Sequence, residues 1–280
     1  MIQQNTSDWL ELRKRSVGAS DAPIIMGASP WKTPYQLWEE KMGLRENLMN
    51  DAMRRGHELE ETVRKAFEQS VGVVVFPVVK FHPQNKWMIA SMDGVTLDGK
   101  IAVELKTANK TDHQGVIEGR IPDKYYPQLQ HQMAVGGWTS MYYCSWHDGD
   151  CRHLVVKRND DYIVNMIEKE QQFLHCMRTA TPPEYTERDY QNQDSEQWQQ
   201  LISEYRKASE TNSLSAQLME EIKNQLIAMS GGSNSKGAGA TLTKATRKGL
   251  VNYSQIPELQ GVDVDVYRKS PSTYWSLRLE

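Results

Sequence analysis

The chain predicts an α/β fold, a mixed central sheet flanked by helices. Two patterns carry this: apolar residues recur at helical spacing in long segments, and short runs alternating apolar and polar fall between them. A length of 280 residues, 39% of them hydrophobic, supports one large core or a core with an appendage.

Helical segments are expected over residues 6–70. Ala19-Ser20-Asp21 opens an apolar run from Ala22 to Met26, with Ser20 or Asp21 suited to the N-cap. Across residues 49–69, Leu59, Val63, Ala66 and Phe67 form an apolar stripe. On a helical wheel Glu60 falls on the edge of that stripe, whereas Glu58 and Glu61 fall on the polar side. A carboxylate aimed at a core is costly unless it is paired or binds a metal, so Glu60 stands out.

Strands are expected near 72–81, 86–92 and 101–107. In Ile101-Ala102-Val103-Glu104-Leu105-Lys106 the apolar Ile101, Val103 and Leu105 bury one side and place Glu104 and Lys106 together on the other. Upstream, Asp93-Gly94 reads as a turn ending the strand Trp87 to Met92, which leaves the Asp93 carboxylate at its tip. A hairpin between the two strands would bring Asp93 beside Glu104. A helix at 123–136 follows, Pro127 suiting its first turn, with Gln128 and Gln132 on one face. A hairpin comes next, residues 141–147 and 152–157 joined across Asp148-Gly149-Asp150. A helix at 160–178 completes domain 1–180. Pro182-Pro183 marks a break, and residues 181–280 are expected to hold a long helix or helical pair over 195–229, a Gly-rich loop from Ser230 to Ala240, and two short strands, 240–245 and 274–279. Lys236, Lys244, Arg247 and Lys248 give the Gly-rich region a second reading as a DNA-contacting arm.

Two carboxylates and one ammonium are the groups that a divalent metal and an attacking water would need, although the string alone arises often by chance. Mg²⁺ takes oxygen ligands, usually one or two carboxylates plus water and a substrate phosphate. Lys106 would orient or help deprotonate the attacking water and balance negative charge in the transition state. A net charge of −3 excludes a protein that coats DNA nonspecifically, so any basic surface must be local. Three cysteines without C-x-x-C spacing read as reduced thiols rather than a zinc or iron–sulfur site. No N-terminal signal or spanning apolar segment is evident, which fits a cytoplasmic protein without a membrane anchor.

The motifs, taken in order, resemble the lambda-exonuclease-like, YqaJ-type phage recombination nucleases of the PD-(D/E)XK superfamily. They are Trp9-Leu10-Glu11-Leu12-Arg13, Val17-Gly18-Ala19-Ser20-Asp21-Ala22, Gly27-Ala28-Ser29-Pro30-Trp31 with Tyr35-Gln36-Leu37-Trp38, Arg55-Gly56-His57-Glu58-Leu59-Glu60, the Asp93 and Glu104-x-Lys106 core, and Gln128-Leu129-Gln130. The resemblance implies Asp93, Glu104 and the Leu105 carbonyl as metal ligands, Lys106 as the catalytic lysine, Glu60 as the helix glutamate near the metals (directly or through water), and Gln128 as an assisting amide. It implies that Arg13 and Ser20 hold the 5′ phosphate of the digested strand. A helix start with a nearby arginine also suits an anion. Met92 stands where the superfamily signature has proline. The implied activity is 5′-to-3′ exonuclease digestion of linear duplex DNA, leaving a 3′ overhang for phage-type recombination, with one or two Mg²⁺ ions per site and Mn²⁺ as a substitute. The implied partners are a single-strand annealing recombinase and further copies in a trimeric ring, inside the bacterial host of a phage or prophage. The alternatives are a site- or structure-specific endonuclease and a catalytically inactive DNA-binding module.

Overall fold

The computed structural model describes residues 7–46, 51–190, 195–231, 235–237, 240–242, 256 and 262. The chain divides into two compact units, Met1–Tyr190 and Gln191–Glu280. The first holds α1 (Ser7–Arg15), β1 (Val17–Gly18), α2 (Ala22–Ile25), α3 (Pro34–Lys41), α4 (Asp51–Val71), β2 (Phe76–Phe81), β3 (Met88–Val95), β4 (Ala102–Thr107), α5 (Lys110–Ile117), α6 (Tyr126–Gly136), β5 (Ser140–His147), β6 (Asp150–Lys157) and α7 (Asp160–Thr179). The expected α/β class holds. One mixed six-stranded sheet links β1, β3, β4, β5 and β6, with β2 paired to β3. The β1–β3 and β4–β5 pairs are parallel and the others antiparallel.

The register shows where a cleft opens. Ile89 pairs with both Gly18 and Phe81, and Val95 pairs with both Phe76 and Ala102. A strand residue has one neighbour on each side, so β2 runs along one edge of β3 while β1 and β4 share the other, one at each end. Between Gly18/Ile89 and Val103/Gly94 that edge has no strand partner. The Ser91 carbonyl accepts from Gln132 Nε2 at 3.3 Å, the Asp93 carbonyl from Arg64 Nε at 3.3 Å, and the Leu105 N–H donates to Asp93 Oδ2 at 2.8 Å. Side chains replace the missing ladder, as buried backbone polar groups require.

Asp93-Gly94 is not the turn expected from its composition. β3 continues to Val95, and the reversal falls at Leu97 to Gly99, where Gly99 has φ +72°. Gly94 is there for close approach: a Cβ on it would lie 2.5 Å from Val75 Cγ2 and 2.8 Å from Val103 Cγ1.

Both sheet faces are covered. Ala102 and Tyr143 pack with Leu129 and Met133 of α6 and Met166 of α7, and Val103, Leu105 and Cys144 pack with Val63 and Phe67 of α4. Burying each large apolar side chain contributes roughly 1.5–3 kcal/mol. Helix α5 was not expected from the sequence; Asn109 caps it, accepting from the Asp112 N–H. The expected hairpin is found with a tighter turn: Asp150 already pairs with His147, so Asp148 and Gly149, both at positive φ, make the reversal.

The first unit runs past residue 180, the boundary drawn from the double proline. Arg188 donates to the Ser29 and Pro30 carbonyls at 2.9 Å each, and Thr33 Oγ1 donates to Asp189 at 2.5 Å, so residues 181–190 pack with the helices before them. In the second unit α8 (Glu196–Met229) is a single helix of 34 residues whose apolar Leu201, Leu214, Leu218, Ile222 and Leu226 are exposed. The Gly-rich loop is interrupted: β7 (Ser235–Gly237) pairs antiparallel with β8 (Ala240–Leu242). The expected strand at 274–279 and the basic residues Lys244, Arg247 and Lys248 lie outside the described residues. Among the described residues no helix is long and apolar enough to cross a membrane.

Candidate active site

Continuing the β3–β4 register by one pair sets Asp93 directly opposite Glu104, so their side chains share a face. Two residues along β4, Lys106 joins that face, and its Nζ lies 2.5 Å from Glu104 Oε1. The expected trio therefore converges at the mouth of the gap in β3's edge. One part of the expectation changes. The face carrying Glu104 lies beneath α6 rather than open to solvent, and Glu104 is 2% exposed.

Helix α6 supplies what that burial requires. Gln128 Nε2 donates to Glu104 Oε1 at 2.6 Å and Gln132 Nε2 donates to Oε2 at 2.5 Å. Spacing of four residues puts both amides on the sheet side of one helix. Gln128 was singled out from the sequence as an assisting residue, and it meets Glu104 directly. Gln132 was noted only as its neighbour on the helix, yet it grips the second carboxylate oxygen. Gln130 turns elsewhere, donating to the Lys157 carbonyl and accepting from the Asn159 N–H.

Electrostatics separate the three charged groups. Burial pushes the Asp93 carboxyl up, Glu104 adds to this, and Lys106 with the Leu105 N–H offsets it only in part, leaving Asp93 at about 8. Burial pulls the Lys106 ammonium down, but Glu104 and Asp93 more than compensate and hold it above its usual value. That upward push keeps Lys106 cationic beside the two carboxylates, an arrangement suited to orienting water and opposing negative charge. Its Nζ also lies 5.2 Å from the Tyr125 ring centroid.

Glu60 approaches from α4 on the edge predicted for it. Its Oε1 accepts from Arg64 at 2.6 Å, and its charge contributes to the upward push on Asp93. Glu58 and Glu61 are exposed. Arg64, which bridges Glu60 and the Asp93 carbonyl, was missed from sequence; its i,i+4 spacing from Glu60 was the available signal.

The donor set suits a hard cation. Among the described residues no group of three or more His, Cys, Asp and Glu side chains forms a cage. Two carboxylates, short of positive charge and beside a cleft, fit an ion that keeps most of its ligands as water or substrate oxygen. The Leu105 N–H is committed to Asp93, which fixes that peptide beside both carboxylates.

Arg13 and Ser20 lie beyond β1, at the other end of the same gap. Arg13 Nη2 donates to Ser20 Oγ at 2.9 Å, and the guanidinium sits 4.8 Å from the Trp9 ring centroid. Of the two caps expected for α2, the structure uses Asp21, but its side chain makes no cap hydrogen bond. It accepts instead from the Gly18 N–H at 2.8 Å and from Lys41 Nζ at 2.6 Å. With α2 only four residues long, Arg13 and Ser20, rather than a helix end, are the groups there that could meet an anion.

A mixed sheet with paired carboxylates and a lysine on its splayed central strands defines a PD-(D/E)XK-like core. Residues 8–139 match the family described as the YqaJ-like viral recombinase domain, so the resemblance in the motifs is borne out. The chain is 30% identical over 176 residues to the uncharacterized protein YqaJ of Bacillus subtilis (strain 168); the alignment spans 60% of this chain and only about half, 55%, of that relative. Its structure is similar to that of an alkaline exonuclease (LHK-Exo) from Laribacter hongkongensis, with TM-score 0.55 and 25% identity over 63% of this chain and 94% of that one. A structure of LHK-Exo in complex with dAMP matches the fold equally, TM-score 0.55 at 24% identity, with the same coverage.

Proposed function

We propose that this chain is a Mg²⁺-dependent exonuclease that digests one strand of linear duplex DNA from its 5′-phosphate end, leaving a 3′ overhang for recombination. The observation that carries the reading is the juxtaposition of Asp93, Glu104 and Lys106 at a break in the sheet, at whose other end Arg13 meets Ser20. The YqaJ-type family match and the alkaline exonuclease likeness support a nuclease acting on DNA.

Asp93 and Glu104 would hold the cation, with the Leu105 carbonyl beside them and Glu60 at the rim. Bound there, Mg²⁺ or Mn²⁺ would neutralise phosphate charge and make a water more acidic. Gln128 and Gln132 fix both oxygens of Glu104, so its orientation is set before substrate arrives. Lys106, kept cationic, orients the attacking water and opposes negative charge growing on the scissile phosphate. Arg13 and Ser20 would receive the terminal phosphate and so set polarity. A trimeric ring and a single-strand annealing partner belong to this proposal through the family resemblance.

Time-resolved digestion of end-labelled linear DNA, with 5′ phosphate against 5′ hydroxyl and Mg²⁺ against chelator, tests reaction, polarity and metal together. The expected result is Mg²⁺-dependent release of 5′-mononucleotides, faster from phosphorylated ends, with closed circular duplex resistant. Cutting of circles as fast as linear ends would identify an endonuclease instead. Lys106→Ala should abolish digestion while leaving end binding nearly intact.

A further inference from the structure

Trp31 is 64% exposed, yet the loop that carries it is tightly held. Ser29 Oγ accepts from the Trp31 and Lys32 N–H groups at 3.3 Å each, and Arg188 clamps the carbonyls of Ser29 and Pro30. A large indole presented to solvent on a fixed loop is not explained by the core.

Its neighbours form a continuous surface leading to the catalytic lysine. Lys124 Nζ lies 5.0 Å from the Trp31 ring and 5.4 Å from the Tyr125 ring, and Tyr125 faces Lys106 Nζ at 5.2 Å. The Trp31 and Tyr125 rings are 6.4 Å apart, and Tyr125 is backed by Tyr143 at 5.7 Å. The Lys124 ammonium is held by Asp112 at 2.6 Å. Its charge is therefore largely satisfied, and what this surface offers is the exposed indole of Trp31, tilted 43° to the Tyr125 ring, rather than a phosphate pocket. A stacked nucleobase is the chemistry that such a face recognises, because every base has a π-face.

We infer that Trp31, backed by Lys124 and Tyr125, is a stacking platform for an unpaired base of the strand whose backbone lies against Lys106. The inference rests on the nuclease reading of that site, since Lys106 places the backbone. It assigns Trp31 the task of holding the end nucleotide splayed from its complement, a specificity role without direct chemistry.

The test uses the full chain and 5′-phosphorylated duplexes whose terminal nucleotide carries either a normal base or an abasic site. Binding is measured with Ca²⁺ in place of Mg²⁺, and the oligomeric state is followed by sedimentation. The wild-type protein should prefer the base-containing end by about tenfold, Trp31→Phe should retain most of that preference, and Trp31→Ala should lose it. Equal preference in Trp31→Ala and wild type overturns the platform, as does wild-type indifference to the missing base. If Trp31→Ala instead changes the oligomeric state, the ring is covered by a second copy and the inference also falls. Digestion with Mg²⁺ separates the two ideas: a wild-type protein that prefers the base but digests no linear DNA removes the nuclease reading alone. One that digests normally while Trp31→Ala keeps the base preference removes the platform alone.

Discussion

Two aspartates at opposite ends of the gap along β3, Asp93 in the strand itself and Asp21 just past β1, receive opposite treatment. Asp21, just beyond β1, is 3% exposed, and burial pushes its carboxyl up; Lys41 at 2.6 Å, Arg13 at 3.8 Å and the Gly18 N–H nevertheless hold it below the usual value. Asp93, partly buried across the gap, has one backbone N–H and a share of Lys106, against the charges of Glu104 and Glu60. The first is a closed network in which cations already answer the carboxylate. The second is short of positive charge. A bound cation would answer a buried carboxylate left so, and this contrast, rather than burial or residue type, is what sets Asp93 apart as a candidate ligand.

The strongest way to break the contrast is to remove each carboxylate charge in turn. Asp93→Asn should lower the digestion rate by roughly a hundred- to a thousandfold while leaving the chain folded, measured on linear duplex with saturating Mg²⁺. Asp21→Asn should act mainly on stability. The Lys41 side chain is 8% exposed and also donates to the Arg13 and Ser16 carbonyls, so it would be left buried with its main counter-charge gone. The expected cost is about 3–5 kcal/mol in denaturant unfolding. A digestion defect without destabilisation in Asp21→Asn would put Asp21 in the chemistry and erase the distinction.

Much of this was legible before any coordinates because strand alternation fixes which side chains share a face. Glu104 with Lys106 follows from period two alone, Asp93 beside them needed the expected hairpin as well, and the α4 wheel placed Glu60 at its edge. What sequence could not supply was long-range. The two glutamines of α6 read as amides on an open helix because nothing local says that the helix lies over β4. Gly94 read as a turn because its composition is that of a turn, while its actual constraint, Val75 before β2 and Val103 of β4 leaving no room for a Cβ, comes from residues distant in the chain. Arg64 had a local signal in its i,i+4 spacing from Glu60, but its second partner, the Asp93 carbonyl, is distant in the chain, as is the Glu104 oxygen that Gln132 meets. The two-residue β1 carries too little pattern to be seen, yet it sets Arg13 and Ser20 at the end of the cleft.

Titration sharpens the comparison further. The Asp93 carboxyl is pushed up to about 8 in the fold against an ordinary value of 3.8, so between those values the native state binds more protons than the unfolded chain. Stability without metal should therefore fall as pH rises from about 4 to about 8 and level off beyond, by roughly 1–3 kcal/mol after allowance for residual solvent screening. Asp93→Asn should remove that decline, so the difference between the two proteins in chelator isolates this carboxyl from His131 and other groups. At pH 8, Mg²⁺ should raise the wild-type melting temperature and leave Asp93→Asn almost unmoved. Parallel pH curves for the two proteins would mean that Asp93 is not short of positive charge.

The smallest expected effect tests the boundary between the two regions, because Arg13 touches both. Its guanidinium donates to Ser20 and stands 3.8 Å from Asp21, but the shorter contact to Asp21 comes from Lys41. Arg13→Ala therefore leaves the buried network largely satisfied and should cost about 1 kcal/mol of stability or less. Its consequence should appear at the DNA end: the preference for 5′-phosphate over 5′-hydroxyl ends should drop about tenfold in kcat/KM, as loss of a charge-assisted contact predicts. An equal loss on both ends would place Arg13 in general DNA binding. A large loss of stability would instead assign it to the Asp21 network, and the pocket at that end of the cleft would have to be sought in Ser20 and its neighbours alone.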